Sequence, residues 1–571
     1  MYTRREPRRL VALLLVCFLL MTTALTGCSS GVLSEPITPG RDDISSKGMV
    51  ASAHPKASAI GVEILEKGGN AVDAAVAVGF ALGVLEPNAS GIGGGGFMLI
   101  RDGQTGDLAF VDFREVLPEE ASLDKYSLDE EGKVLNMEHQ IGPKSIAIPG
   151  EVAGLLHALE AYGTLDRQTV MAPSIQVAKE GFEVSSTLAG IAQGKFDLLS
   201  GNPATAEVFT TEGLPLMEGD LLVQADLSQT LEQIADQGAS VFYRGEIAKK
   251  IVEAVNGQGG YLTLADFENY QVKMREPVRG DYRGYEIVSA PPSSSGGTHV
   301  IEMLNIMENF DLASMEPTDA KTIHLWAETM KRVYNDRNLH MGDTDFVDVP
   351  LGGLQSKDYA KTLADSIDLE KASAGFESFD PWQYESGSTT HYSIIDDQGT
   401  MVSVTKTINH FFGSGIVVPG TGILMNDEIA DFSFDPSSPN FIEPGKRPLS
   451  SMSPTLILKE GKAYGAIGTP GGKRIIATVP WVISQIIDHG MDLQTAIESP
   501  RIAQYERGAL KLEGGIAGET VETLKSMGHE VTVRKENDLY FGGVQGVVYL
   551  ENGDLHGGAD PRRDGSAIGV H

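Results

Sequence analysis

Two adjacent threonines, Thr389 and Thr390, stand where a side chain could act as a nucleophile. They follow a loose Gly/Ser-rich lead-in ending Gly387-Ser388 and open a strand-like run through Ile395. A threonine hydroxyl is a weak nucleophile unless a base adjoins it, and one available base is the residue's own α-amino group. That amine exists only if the Ser388–Thr389 bond is cut. A second run, Met401–Thr407, follows the turn Asp396-Asp397-Gln398-Gly399, so the pair reads as a hairpin. Taken alone, Thr389 and Thr390 also suit an ordinary strand, where β-branched residues are favoured.

Further along, the strand Ala463–Ile467 runs into Gly468-Thr469-Pro470-Gly471-Gly472 and then a helix, Lys473–His489. Gly471 and Gly472 at a helix N-terminus present unpaired N–H groups and the positive dipole end, which suits a phosphate or a developing oxyanion. No P-loop Lys-Ser/Thr follows, so the oxyanion is favoured. Arg114 ends the strand Leu108–Phe113, a place from which a guanidinium can hold a carboxylate. Gly91, Gly93 and Gly96 satisfy the dinucleotide-binding pattern formally, but a helix precedes them and a strand follows, the reverse of what that pattern needs. Close backbone approach is the better reading of these glycines. With no zinc-protease helix and no Cys/His ligand cluster, neither metal nor cofactor is expected.

The elements that must position these groups are legible in outline. A helix over Lys56–Lys67 stops at Gly68-Gly69, and Asn70 caps a second, Ala71–Leu82, apolar nearly all round and so expected to be buried on a sheet. Strands follow at Phe97–Ile100 and Leu108–Phe113. Residues 145–345 read as mainly helical, with Pro291–Gly297 as loop punctuation, and another strand lies near Leu456. The chain has 571 residues, 41% hydrophobic and 22% charged, in keeping with a large globular core. Its formal charge of −33 argues against nucleic acid as a partner, because phosphates would be repelled. Arg4, Arg5, Arg8 and Arg9 precede an apolar run, Leu10–Leu25, in the manner of a secretory signal. That run ends Leu25-Thr26-Gly27-Cys28, similar to a bacterial lipoprotein processing box with Cys28 as the lipidated residue. Residues 1–27 are thus expected to be removed, with 28–47 as a lipidated tether to the outer face of a membrane.

Taken together, six stretches in order resemble the γ-glutamyltranspeptidase (glutathione hydrolase) family. They are Gly68–Ala75, Gly93–Met98, Asp112–Glu115, Thr389–Tyr392, Arg447–Pro454 and Gly468–Gly472. The resemblance implies an N-terminal-nucleophile hydrolase fold, a four-layer αββα sandwich. It also implies self-cleavage into a large subunit, 48–388, and a small one, 389–571, that stay associated. Thr389 would then be the nucleophile, Thr407 its hydrogen-bond partner, and Gly471 and Gly472 the oxyanion donors. Arg114, Ser450 and Ser451 would hold a substrate α-carboxylate; Asn409, Glu428 and Asp431 would hold its α-ammonium. A γ-glutamyl ester on Thr389 would pass to water or to an amino-acid or peptide amine.

Only 14 residues, 432–445, separate Asp431 from Lys446. Relatives with a lid over the glutamyl site are longer there, so this chain's cleft is expected to be more open and to admit a polymer end. That shortness, the lipid anchor and Phe541–Gln545 are also similar to the poly-γ-glutamate depolymerase branch. Pro448–Met452 has the transpeptidase form, which favours glutathione-like donors. Two other readings are a non-catalytic solute-binding lipoprotein and an acylase acting on β-lactam side chains.

Overall fold

The hairpin expected around Asp396–Gly399 is the centre of the molecule. A computed structural model describes residues 40–374 and 389–571; Cys28, the signal segment and Ser388 lie outside the described residues. Thr390–Asp396 pairs antiparallel with Met401–Thr407, with Thr390 opposite Lys406 and His391 opposite Thr405. Gly48–Ser52 flanks the first of these strands and Gly95–Arg101 the second. Leu108–Phe113, Lys273–Arg275 and Ser566–Gly569 complete a seven-stranded sheet. A second seven-stranded sheet is built around Thr455–Lys459 and Lys462–Gly468 and also uses Tyr285–Ser289, Gln545–Tyr549 and Leu555–Ala559.

Side chains alternate across a strand, so each strand of the first sheet feeds two cores. Met49, Ala51, Phe97 and Leu99 pack with Ile457, Ala466, Ile467 and Val547 between the sheets. Val50, Met98, Ile100, Tyr392 and Ile394 point the other way, against the helices Pro55–Glu66, Ala71–Leu85 and Glu151–Tyr162. Helices Gly296–Met307, Ala320–His340 and Ile475–Ile487 share the second core. The layers are therefore helix, sheet, sheet, helix: the αββα sandwich. The Ala71–Leu85 helix is buried along its whole length, and Asn70 caps it by accepting from the N–H groups of Val72 and Asp73.

Three features differ from the sequence expectation. The folded body begins before Gly48: Asp42–Ser45 is a strand on the edge of the second sheet, paired with Leu555–Ala559. Its polar, short character suits an edge and hides it from a search for alternating hydrophobicity. The largely helical stretch 145–345 contains Lys273–Arg275 and the hairpin Val278–Tyr282 with Tyr285–Ser289. Its turn is Arg283-Gly284, both at positive φ, which is the two-residue hairpin geometry. Gly95 and Gly96, read as loop glycines, lie inside a strand, and a Cβ on Gly94 or Gly96 would run into the carbonyl oxygen of Thr407 or Thr405. The close approach expected of these glycines is what the structure shows.

Candidate active site

Thr389 leads into its strand on the face that looks toward the second sheet, since His391 and Ser393 of that face contact Thr405 and the Gln545 carbonyl. Extending the register by one pair sets it across from Thr407. The Thr389 hydroxyl donates to the Thr407 hydroxyl at 3.4 Å, and the Asn409 N–H donates to the same Thr407 oxygen at 2.8 Å. Asn409 sits at φ 74°, a left-handed conformation that Asn tolerates better than most residues. Its Nδ2 donates to the Asp427 carbonyl at 3.2 Å.

A small cavity opens beside this pair. Thr389, Thr407, Asn409 and Gly472 line it, together with Arg114, Glu428, Asp431, Ser450 and Ser451. Gly471 stands next to Gly472 but is not itself on the lining. The turn that carries both has positive φ at each, 138° and 57°. A short 3₁₀ turn, Gly472–Arg474, then passes into the helix Ile475–Ile487. The expected helix start at Lys473 is thus an irregular turn that leads into the helix.

Arg114 is 1% exposed and is tied on all three guanidinium nitrogens. Nη1 is ion-paired with Glu428 and lies 3.5 Å from Glu115; Nη2 meets Asp431 at 2.5 Å; Nε donates to the Pro448 carbonyl at 3.3 Å. One cation therefore faces three carboxyl groups. Burial pushes Glu115 up to about 8, only partly offset by Arg114, and pushes Glu428 up as well, with Glu115 and Asp431 adding repulsion. Glu428 is placed by Asn426, which accepts the Glu428 N–H at 3.0 Å and donates to the Gly93 and Ala147 carbonyls. The serines are placed from the segment read as loop punctuation: Ser450 donates its N–H to the Ser293 carbonyl at 3.0 Å and accepts from Ser295 N–H at 2.9 Å.

Arg337 also lines the cavity, as do Met452 of the Arg447–Pro454 stretch and Lys473 after the glycine turn; of the three, Arg337 carried no signal in the sequence. Arg337 is a helical residue among many charged ones, and only the packing of its helix brings it here. Among the described residues one group, His324, Glu328 and His529, has ligand atoms near enough for a metal. Its Glu328, however, is held by Lys331 at 2.8 Å and Arg332 at 3.0 Å, so a further cation would meet two positive charges.

The γ-glutamyltranspeptidase family profile matches residues 57–570. The chain belongs to that family. It is 41% identical over 549 residues to the glutathione hydrolase proenzyme of Escherichia coli (strain K12), covering 94% of this chain and 93% of that protein. To the glutathione hydrolase proenzyme of Bacillus subtilis (strain 168) it is 40% identical over 547 residues, covering 93% and 92%. Among solved structures, cephalosporin acylase from Bacillus halodurans superposes with a TM-score of 0.84 at 29% identity, covering 95% of this chain and all of that one. As a γ-glutamyltranspeptidase family member the chain is an enzyme of γ-glutamyl hydrolysis and transfer, on an N-terminal-nucleophile hydrolase fold.

Proposed function

We propose that the chain cuts itself between Ser388 and Thr389 and that the new small subunit, 389–571, carries the nucleophile. The observation that carries this reading is the Thr389–Thr407 hydroxyl pair at the wall of a cavity in which Arg114 is paired with Glu428 and Asp431. The α-ammonium of a γ-glutamyl group would meet the carboxyl groups of Glu428 and Asp431 on this lining. Arg114 and the hydroxyls of Ser450 and Ser451 would meet the α-carboxylate, and Asn409, Glu428 and Asp431 the ammonium.

In the reaction the freed α-amino group of Thr389 takes the hydroxyl proton as Oγ1 attacks the γ-carbonyl carbon. The Gly471 and Gly472 N–H groups receive the oxyanion, and collapse expels the amine with that proton. Water then attacks the γ-glutamyl ester to release glutamate, or an amino-acid or peptide amine attacks it to give a new γ-glutamyl amide. Glutathione-like donors are favoured by the resemblance to glutathione hydrolase proenzymes, with poly-γ-glutamate a longer donor that the short 432–445 segment would admit. The likeness to a cephalosporin acylase raises a β-lactam side-chain amide as a second substrate class. The complete set of carboxylate and ammonium partners favours the γ-glutamyl group. We place the enzyme outside the cytoplasm, held by lipid on Cys28.

Intact mass of the purified chain without residues 1–28 tests the first step, and γ-glutamyl-p-nitroanilide tests the second. Two fragments, the smaller beginning at Thr389, with release of nitroaniline, are expected; Thr389→Ala should stay whole and inactive. A wild-type chain that stays whole at every pH and over days would sink the reading and favour a solute-binding protein.

A further inference from the structure

Arg337 lies in the last turn of the Ala320–His340 helix, 6% exposed, and lines the same cavity as Arg114. Its Nε donates to Ser295 Oγ at 3.0 Å and its Nη2 to Ser451 Oγ at 3.1 Å. A guanidinium has N–H donors and no acceptor, so both serine oxygens must accept from it. Each serine has one proton left to give. Ser295 gives its proton to the Ser450 carbonyl at 2.7 Å, which ties down the backbone between the two cavity serines. Ser451 has its oxygen committed to Arg337, so its O–H is turned away from the guanidinium, on a residue that lines the cavity. Ser450 is set the same way by another donor: its Oγ accepts the Met452 N–H at 3.1 Å. Two hydroxyls are thus oriented to donate, next to a buried cation. Arg114, also on the lining, is already engaged by Glu428, Asp431 and the Pro448 carbonyl.

We infer that Arg337 is a positioning and specificity residue that makes the Ser450–Ser451 pair selective for a carboxylate. It supplies positive potential on the serine side and fixes the Ser451 hydroxyl as a donor; a neutral or cationic group would find only donors and a like charge there. This rests on the γ-glutamyl reading above and adds to it the group that decides which acyl head is accepted.

The test compares wild type, Arg337→Gln and Arg337→Lys on three p-nitroanilides, with rates normalised to cleaved small subunit. The γ-glutamyl donor has both charged groups, 4-aminobutyryl lacks the α-carboxylate, and glutaryl lacks the α-ammonium. For Arg337→Gln the ratio of kcat/KM on γ-glutamyl to that on 4-aminobutyryl should fall by about tenfold or more, the scale of one charge-assisted contact, chiefly through KM. The glutaryl rate should fall in parallel with the γ-glutamyl rate. Arg337→Lys keeps the charge but loses the two-pronged donor, so it should recover part of the ratio, and it carries the test if Arg337→Gln does not fold. An unmoved ratio in both variants, beside a wild type that prefers γ-glutamyl, would overturn this inference alone. A wild type that hydrolyses none of the three would overturn the γ-glutamyl reading and this inference with it.

Discussion

The Thr407 hydroxyl stands 3.4 Å from that of Thr389 and takes the Asn409 N–H at 2.8 Å, so the nucleophile's neighbour is itself held by the residue two positions on. The antiparallel register places the pair, and the left-handed turn at Asn409 aims the N–H back at position 407. Three residues from one hairpin and its exit therefore fix one oxygen atom.

Replacing Thr407 by Val keeps the strand but removes the hydroxyl. We expect kcat of the cleaved enzyme to fall about tenfold to a hundredfold, as for loss of one hydrogen bond to a reacting group, where 1.4 kcal/mol is tenfold. Thr407→Ser should stay within about threefold of wild type, well inside 1 kcal/mol. Equal losses in the two variants would count against the hydroxyl's role.

Arg114 neutralises carboxyl groups as well as facing the cavity. Arg114→Met should leave Asp431 and Glu428 without their ion-pair partner and the Pro448 carbonyl without its donor, and cost about 3–5 kcal/mol in urea unfolding. It should also raise KM for γ-glutamyl donors. Asp431→Asn, at a position whose side chain is 18% exposed, should be milder in stability. A variant at Arg114 with unchanged stability would show that the guanidinium's contacts to Glu428, Asp431 and the Pro448 carbonyl do not hold the fold together.

The raised carboxyl groups give a pH dependence with a definite sign. Glu115 is held up at about 8 against an ordinary 4.5, so the native state keeps a proton that the unfolded chain releases. The stability this contributes is fully present below about pH 4.5 and is lost as pH rises through about 8. Calorimetry from pH 5 to pH 9 should show a falling Tm, and Glu115→Gln should flatten the fall. A slope identical to wild type in the variant would refute the assignment.

Gly468 ends a strand of the second sheet under the imidazole of His391, and a Cβ there would enter that ring. His391 is kept neutral by burial, pushed down to about 3, and is wedged between Thr405 and Ser393 at 2.8 and 3.0 Å. Gly468→Ala should cost about 1–3 kcal/mol by overpacking and slow self-cleavage, because the same turn carries Gly471 and Gly472. Gly190→Ala, in a helix with open space around it, serves as the control and should leave self-cleavage unchanged while raising stability by about 0.5–1 kcal/mol. Equal effects at both positions would remove the packing argument.

Much of the local machinery was legible in the chain itself. The hairpin after Thr389, the Asn70 cap and the glycine turn before Ile475 are short-range features, written in periodicity, capping residues and turn chemistry. The six ordered stretches carried the family and, through it, the residues that meet at the cavity. Packing alone decided the rest. Asp42–Ser45 becomes a strand because Leu555–Ala559 offers it an edge at the other end of the chain. Arg337 reaches the cavity because its helix packs so that the last turn meets Ser295 and Ser451. The upward pKa shifts of Glu115 and Glu428 follow from burial beside a guanidinium they share, and neither burial nor the number of neighbours is a property of any residue or its sequence neighbours. Sequence sets the side-chain chemistry and short-range geometry, while dielectric environment and long-range partners arise only when distant segments share one interior.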